Sequence, residues 1–445
     1  MIIKNLINKF NNLEYKKINN IAIPLMLNNV SSMIIGLCDE AMIGRVSLVG
    51  FAAVSIIVTT VNSITGVLGS ISVGFNIIGS RCRGENNYGK LKNNFILNIF
   101  ISILIGLIFF LGALRFGSFF IEKLYGLKGE ILVQSVEYFN IFSLALGLNM
   151  ILFTFSSYFK IINKTKNILY GNIVASVSNV FFDYIFIFGK FGFPKLGIKG
   201  NAIGSILALV LNVLIYIVVI IKDGILKISN IKILENFKET IKISLPIMGQ
   251  EILESTLIVI AINSILTRLG VIEVSVYNLL LSIVGIASMP IYSYSQASLT
   301  IIAEDLGANN TSGIKITPKK CLVFAAIFYL TLSIVFLVFR EYVPYIITDN
   351  RELIKNSITY MPVVFSVNLF FIPLTIYKYS LQGIEDVNWV FFASIIINFI
   401  GLAFIILFTE GLKLGLYGVY IGMALNYMII SIAFYFRYKR CLIKK

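Results

Sequence analysis

Along this chain, stretches of about twenty or more residues with almost no charge alternate with short polar segments. They fall at about 20–44, 48–79, 94–114, 132–159, 168–189 and 201–221, and after a charged gap they resume at about 243–267, 275–302, 321–339, 357–382, 389–409 and 414–436. Apolar runs of that length cross a ~30 Å hydrocarbon layer as helices. The pattern therefore predicts an all-α integral membrane protein of twelve transmembrane helices.

Composition and charge sharpen that picture. Of 445 residues, 58% are hydrophobic and 13% charged, and the mean hydropathy is +0.89, too apolar for a soluble chain, where about a quarter of residues carry charge. The net charge of +15 could suggest nucleic acid. Its distribution excludes that reading. Lys4, Lys9, Lys16 and Lys17 precede the first span, Arg81, Arg83, Lys90 and Lys92 follow the second, and Lys160, Lys164 and Lys166 follow the fourth. Lys222, Lys227, Lys232, Lys238 and Lys242 surround the central gap, Lys315, Lys319 and Lys320 follow the eighth span, and Arg437, Lys439, Arg440, Lys444 and Lys445 close the chain. All these segments share one side if the spans alternate, and the opposite loops hold roughly half as many Lys and Arg, so both termini are expected to be cytoplasmic and the protein multi-pass in the cytoplasmic membrane. The basic face then meets anionic membrane lipid, not nucleic acid. The first apolar run contains Pro24 and lacks a small-residue cleavage site, unlike a signal peptide. Cys38, Cys82, Cys321 and Cys441 are scattered, with no zinc or disulfide spacing.

An internal repeat organises the spans. "IPLMLNNVSSMIIGLCDEAMIGRVSLVGFAAVS…GENN", from Ile23, lies over "LPIMGQEILESTLIVIAINSILTRLGVIEVSVYN…GANN", from Leu245, with Pro24 on Pro246. A second match sets "KLGIKGNAIGSILAL" at 195–209 over "KLGLYGVYIGMALNY" at 413–427. The expected organisation is a cytoplasmic segment 1–19, an N-lobe 20–221, a cytoplasmic linker 222–242, a C-lobe 243–436 and a basic tail 437–445. Six spans is an even number, so the two repeats run parallel. Transporters built in this way bind substrate near the midplane and alternate access by rocking one half against the other.

Within the apolar run "SNVFFDYIFIFG" stands one carboxylate, Asp183. An ionised group at membrane depth costs at least about 2.5 kcal/mol, so a function is expected of it. Asn179 lies four residues earlier, on the same helix face. Asp39 in the first span reaches the same outer half of the bilayer. Two carboxyl groups facing one cavity form a site for a proton, or for Na⁺ bound by carboxylate, amide and hydroxyl oxygens.

These residues carry a resemblance. The opening "IPLMLNN…LCDEAMIGRVS…FAAVS" and the "SNVFFDYIFIFG…LGIKGNAIGS" stretch resemble the multidrug and toxic compound extrusion (MATE) family of the multidrug/oligosaccharidyl-lipid/polysaccharide flippase superfamily, over essentially the whole chain. The resemblance implies two six-helix lobes opening as a V and a cation-coupled antiporter, not an enzyme. It implies an N-lobe cation site of Asp39, Asn179, Asp183 and a hydroxyl in the sixth span, where the usual Thr is replaced by Ser205. Relatives driven by Na⁺ carry an acidic residue near the position of Glu254, paired with an Asp in the tenth span. Here the tenth span has no carboxylate, and Glu254 is assigned to coupling or to substrate charge. The repeat sets the C-lobe counterpart of Asp183 near Gly401.

An ATP-driven pump would need a GxxxxGK[ST] stretch, which is missing, and a hydrolase is poorly served by a chain with no His. The alternative is a flippase for lipid-linked oligosaccharides, which should hold cations in its cavity, whereas Lys378 is the main buried-looking cation here. The expected substrate is an amphipathic organic cation, held by ion pairing and cation–π contact. Ser32, Met33, Tyr138, Phe155, Ser156, Tyr277, Tyr292 and Tyr294 are the candidate lining residues. No cofactor is expected beyond the coupling ion, H⁺ or Na⁺, nor any structural metal. The expected oligomeric state is a monomer.

Overall fold

The repeated Gly-x-Asn-Asn motif sets the chain's punctuation. Helix α2 (Leu48–Gly84) ends at "GENN", where Asn86 takes a left-handed backbone (φ 58°) and the Asn87 side chain accepts from Lys90 N at 3.0 Å, capping α3 (Tyr88–Tyr125). Helix α10 (Val271–Gly307) ends at "GANN" in the same way, with Asn309 left-handed (φ 54°) and Asn310 accepting from Gly313 N at 3.1 Å to cap α11 (Thr311–Val338). Asn tolerates the left-handed region and is a strong N-cap, so one dipeptide both ends a helix and starts the next.

The structure, a computed structural model, describes residues 13–45, 47–222 and 233–443. Lys4, Lys9, Lys227, Lys232, Lys444 and Lys445 of the expected cytoplasmic segments lie outside the described residues. Besides α2, α3, α10 and α11, the helices are α1 (Leu13–Gly44), α4 (Gly129–Phe142), α5 (Leu144–Ile161), α6 (Lys166–Phe188), α7 (Ile198–Lys222), α8 (Ile233–Ile252), α9 (Ile258–Leu269), α12 (Arg351–Gly383), α13 (Val387–Ile406) and α14 (Leu416–Ile443). Leu253–Leu257, between α8 and α9, and Leu407–Gly411, after α13, are single π-helical turns. With α4–α5 and α8–α9 each counted as one span, twelve helices among the described residues are long and apolar enough to cross a membrane.

The described chain divides into two compact units. One holds Leu27–Gly79 and Asn87–Leu245; the other holds the described residues up to Met26, Ser80–Asn86 and Pro246 onward. The cut differs from the expected lobes because two segments of the N-terminal half are held by the C-terminal one. Tyr294 donates to Asn19 at 2.9 Å, Tyr15 packs edge-on to Phe324, and Lys17 pairs with Glu304 at 3.0 Å. At the end of α2, Arg81 pairs with Glu385, Gly84 lies against the Glu304 carbonyl, and Gly307 lies against the Arg81 carbonyl.

Within the first unit, glycines let helices meet backbone to backbone. A Cβ built on Gly147 of α5 would lie 2.9 Å from Gly106 of α3, a close crossing of the kind small residues permit in membranes. Helices α6 and α7 form an antiparallel pair in which Gly200 rests on the Phe186 backbone and Gly204 on Asp183. That last contact positions the site.

Candidate functional site

Asp183 is fully buried at 0% exposure, on the α6 face turned to α7. Asn201, in the first turn of α7, donates to its Oδ2 at 2.7 Å, and the Tyr138 hydroxyl of α4 donates to Asn201 Oδ1 at 3.0 Å. The tyrosine thereby fixes the amide, since an oxygen that accepts from Tyr138 leaves the NH₂ for the carboxylate. Asp183 Oδ1 sits against Gly204, where any side chain would collide with it, and meets no donor among the described residues. The neighbouring acid is Asp39 of α1, whose charge acts directly on Asp183. Asp39 does not terminate its helix, because α1 runs on to Gly44.

Asn179 and Ser205 form the next layer, with Asn179 Nδ2 donating to Ser205 Oγ at 3.4 Å. The α7 side chain that touches Asp183 is thus Asn201, one turn before Ser205, and neither Asn201 nor Gly204 was singled out from the sequence. The only sequence signal was a polar residue between small ones at a helix start, in "KGNAIGS".

A second polar cluster lies in the C-terminal half. Glu254, in the π turn, takes Lys378 Nζ of α12 on Oε2 at 2.7 Å and Gln250 Nε2 on Oε1 at 2.9 Å. Gln250 also donates to Ser394 Oγ at 3.0 Å and accepts from Gln382 at 3.1 Å. This cluster borders a cavity of about 480 Å³ whose lining includes Tyr277, Tyr292, Phe371, Tyr420 and Tyr427.

The candidate lining residues therefore scatter. Tyr277 and Tyr292 join Glu254 at the cavity. Tyr294 does not; it is fully buried and stacks on Phe324. Phe155 is buried against Phe95 and Tyr216, and Tyr138 belongs to the Asp183 network. In the other unit, Ser32 is exposed and accepts from Asn172 at 3.0 Å, while Met33 and Ser156 are half-buried.

The repeat shows how far the halves have diverged. Gly204 contacts Asp183 as Gly422 contacts Ile405, and Gly200 contacts Phe186 as Gly418 contacts Phe408. Ile405, not Gly401, is therefore the counterpart of Asp183, and Gly401 that of Asn179. In the same register Asn201 becomes Val419 and Ser205 becomes Met423. One half keeps the polar site and the other has filled it with apolar side chains.

The MatE family signature matches residues 24–185 and again 246–407, once in each repeat. Among curated proteins, the chain is 25% identical over 420 residues to a "Probable multidrug resistance protein NorM" of Thermotoga maritima, covering 92% of this chain and 88% of that one. It is 24% identical over 340 residues to the "Multidrug export protein MepA" of Staphylococcus aureus, covering 75% of this chain and 74% of that one. An outward-facing multidrug resistance MATE transporter of the MOP superfamily superposes with a TM-score of 0.88 at 18% identity, covering 96% of each chain. A MOP superfamily transporter from Pyrococcus furiosus, described as having a binding pocket of reversed polarity, superposes at 0.87 and 18% identity, covering 97% of this chain and 96% of that one. At that identity the likeness is one of fold. With the signature present in both repeats, the chain belongs to the MATE family of multidrug efflux transporters.

Proposed function

We propose that the protein is a cation-coupled antiporter of the cytoplasmic membrane, working as a monomer with both termini cytoplasmic and exporting amphipathic organic cations by alternating access. The observation that carries this reading is the buried Asp183 carboxylate, with one oxygen held by Asn201 and the other without a donor among the described residues, next to the charge of Asp39. A proton or Na⁺ supplies the missing partner. A buried carboxylate left uncompensated is costly, so cation binding and the arrangement of α1, α6 and α7 depend on each other.

The proposed cycle follows from differential affinity. A cation moves the equilibrium only as far as it binds one state better than another, so it binds best where substrate leaves. Loading of Asp39 and Asp183 from outside rearranges α1 around Pro24 and displaces the substrate. At about 100 mV, one inward cation contributes ~2.3 kcal/mol to each cycle. The flippase alternative is weakened by Lys378, whose charge is matched by Glu254 and so is not left free for a pyrophosphate.

Proteoliposomes with the pH and Na⁺ gradients imposed separately test the reading. At least one gradient is expected to drive uptake of an organic cation into inside-out vesicles, and Asp183→Asn to abolish it. Equal gradient-driven transport by Asp183→Asn, at equal protein per vesicle, would overturn the proposal.

A further inference from the structure

The two halves link the same three repeat positions by hydrogen bonds, but from different donors. In the register that lays Pro24 on Pro246, Asn28, Ser32 and Asn172 fall on Gln250, Glu254 and Ser394. Asn172 Nδ2 reaches Asn28 O and Ser32 Oγ, and Gln250 Nε2 reaches Glu254 Oε1 and Ser394 Oγ. At this position the N-terminal half has the neutral Ser32 and the C-terminal half the carboxylate of Glu254. A second exchange accompanies it, for Ser156 falls on Lys378. One half thus has a carboxylate and an ammonium where the other has two serines, and the two charges meet at 2.7 Å.

The backbone differs as well. Helix α1 is regular through Ser32, whereas Glu254 sits in a π turn. Such turns insert one extra residue into a helix and are common where a side chain must be re-aimed. Lys378 is 13% exposed and Glu254 26%, at the border of the aromatic cavity, so the pair is partly withdrawn from water without being sealed off. Glu251 also faces the cavity, holding Ser255 at 3.0 Å, and Tyr277, Tyr292, Tyr379, Tyr420 and Tyr427 are the other ionisable groups lining it.

From this pairing we infer that Lys378 is a tethered counter-ion: its ammonium occupies the position at Glu254 that a free monovalent cation or a proton would otherwise take, so the C-terminal half carries its cation covalently and does not exchange it. Removing one partner of such a pair leaves a charge that must be compensated from solution. The polar bed of Glu254 is already built for that, since Gln250 is held by Ser394 and Gln382 and presents its amide to one carboxylate oxygen. The consequence is a division of labour, with exchangeable cations confined to Asp39 and Asp183 and an aromatic cavity whose local charge does not change with the gradients.

The inference can be tested on the purified full-length protein without transport, so its outcome is independent of the antiport reading. Bound ²²Na⁺ per chain and the infrared C=O stretch of protonated carboxyl groups are measured for the intact protein, Glu254→Gln, Lys378→Met, and the double variant Lys378→Met/Glu254→Gln. Lys378→Met is expected to gain either one bound Na⁺ per chain or one new carboxyl band, and the double variant to lose that gain. Glu254→Gln alone is expected to leave bound Na⁺ and the carboxyl bands as in the intact protein. The inference is overturned if Lys378→Met gains neither signal, or if Glu254→Gln with Lys378 in place loses a Na⁺ or a carboxyl band. Should Lys378→Met fail to fold, the comparison of Glu254→Gln with the intact protein still decides the matter. Asp183→Asn serves as the separate control for the other half.

Discussion

Gly204 lies directly against Asp183, with the carboxylate Oδ1 in the space that a side chain on Gly204 would fill. Gly204→Ala should therefore push the carboxylate off its place between Asn201 and Asp39. Overpacking of this kind costs about 1–3 kcal/mol. Cation-driven efflux is expected to fall at least tenfold while membrane abundance changes little. The matched control is Gly422→Ala, which meets Ile405 and should lower thermal stability without altering the cation dependence of transport.

Asn201→Val installs the side chain that the other repeat carries at the same place. It removes the donor to Asp183 Oδ2. Gradient-driven transport should be lost, as in Asp183→Asn. Ser205→Ala touches only the 3.4 Å contact with Asn179 and should cost less than threefold, and Ser205→Thr nothing measurable. A larger loss in Ser205→Ala than in Asn201→Val would reverse the assignment.

Tyr138→Phe deletes only the hydroxyl that orients Asn201. A single hydrogen bond is worth about 0.5–1.5 kcal/mol net. Transport should persist, with the apparent affinity for the coupling cation weakened by between two- and tenfold and the maximal rate retained. A dose-response of uptake against the driving cation separates these two effects.

Substrate affinity should depend on the cation in one direction. If protonation or Na⁺ at Asp39 and Asp183 displaces substrate, affinity falls as the outside pH drops or Na⁺ rises. That dependence is expected to vanish in Asp39→Asn/Asp183→Asn. Titration of a fluorescent organic cation across pH and Na⁺ gives the answer, and an affinity indifferent to both in the intact protein would remove the competition step.

The twelve spans and the repeat were legible because apolar length, Pro24 and Pro246, and the two Gly-x-Asn-Asn motifs are local features. Asp183 and Asn179 could be read for the same reason, a carboxylate and an amide on one face of an apolar helix. Asn201 could not. Which turn of α7 meets Asp183 depends on the path of the chain between Phe188 and Ile198, and the choice between Asn201 and Ser205 is a shift of a single turn. The same difficulty displaced the counterpart of Asp183 to Gly401, because the corresponding connection before Leu416 is shorter. The Glu254–Lys378 pair joins residues 124 apart in sequence, and no periodicity records it.

Gly84 meets the carbonyl of Glu304, and Gly307 meets the carbonyl of Arg81. In the repeat Gly84 corresponds to Gly307, and Arg81 to Glu304. The contact is therefore unchanged when the two repeat positions are exchanged, each glycine meeting the carbonyl at the other's preceding turn. The two glycines form one structural position written twice in the gene: a methyl group on either presses the same pair of helix ends apart. The second substitution then adds little to the first, and neither position is free to drift while the other stays fixed.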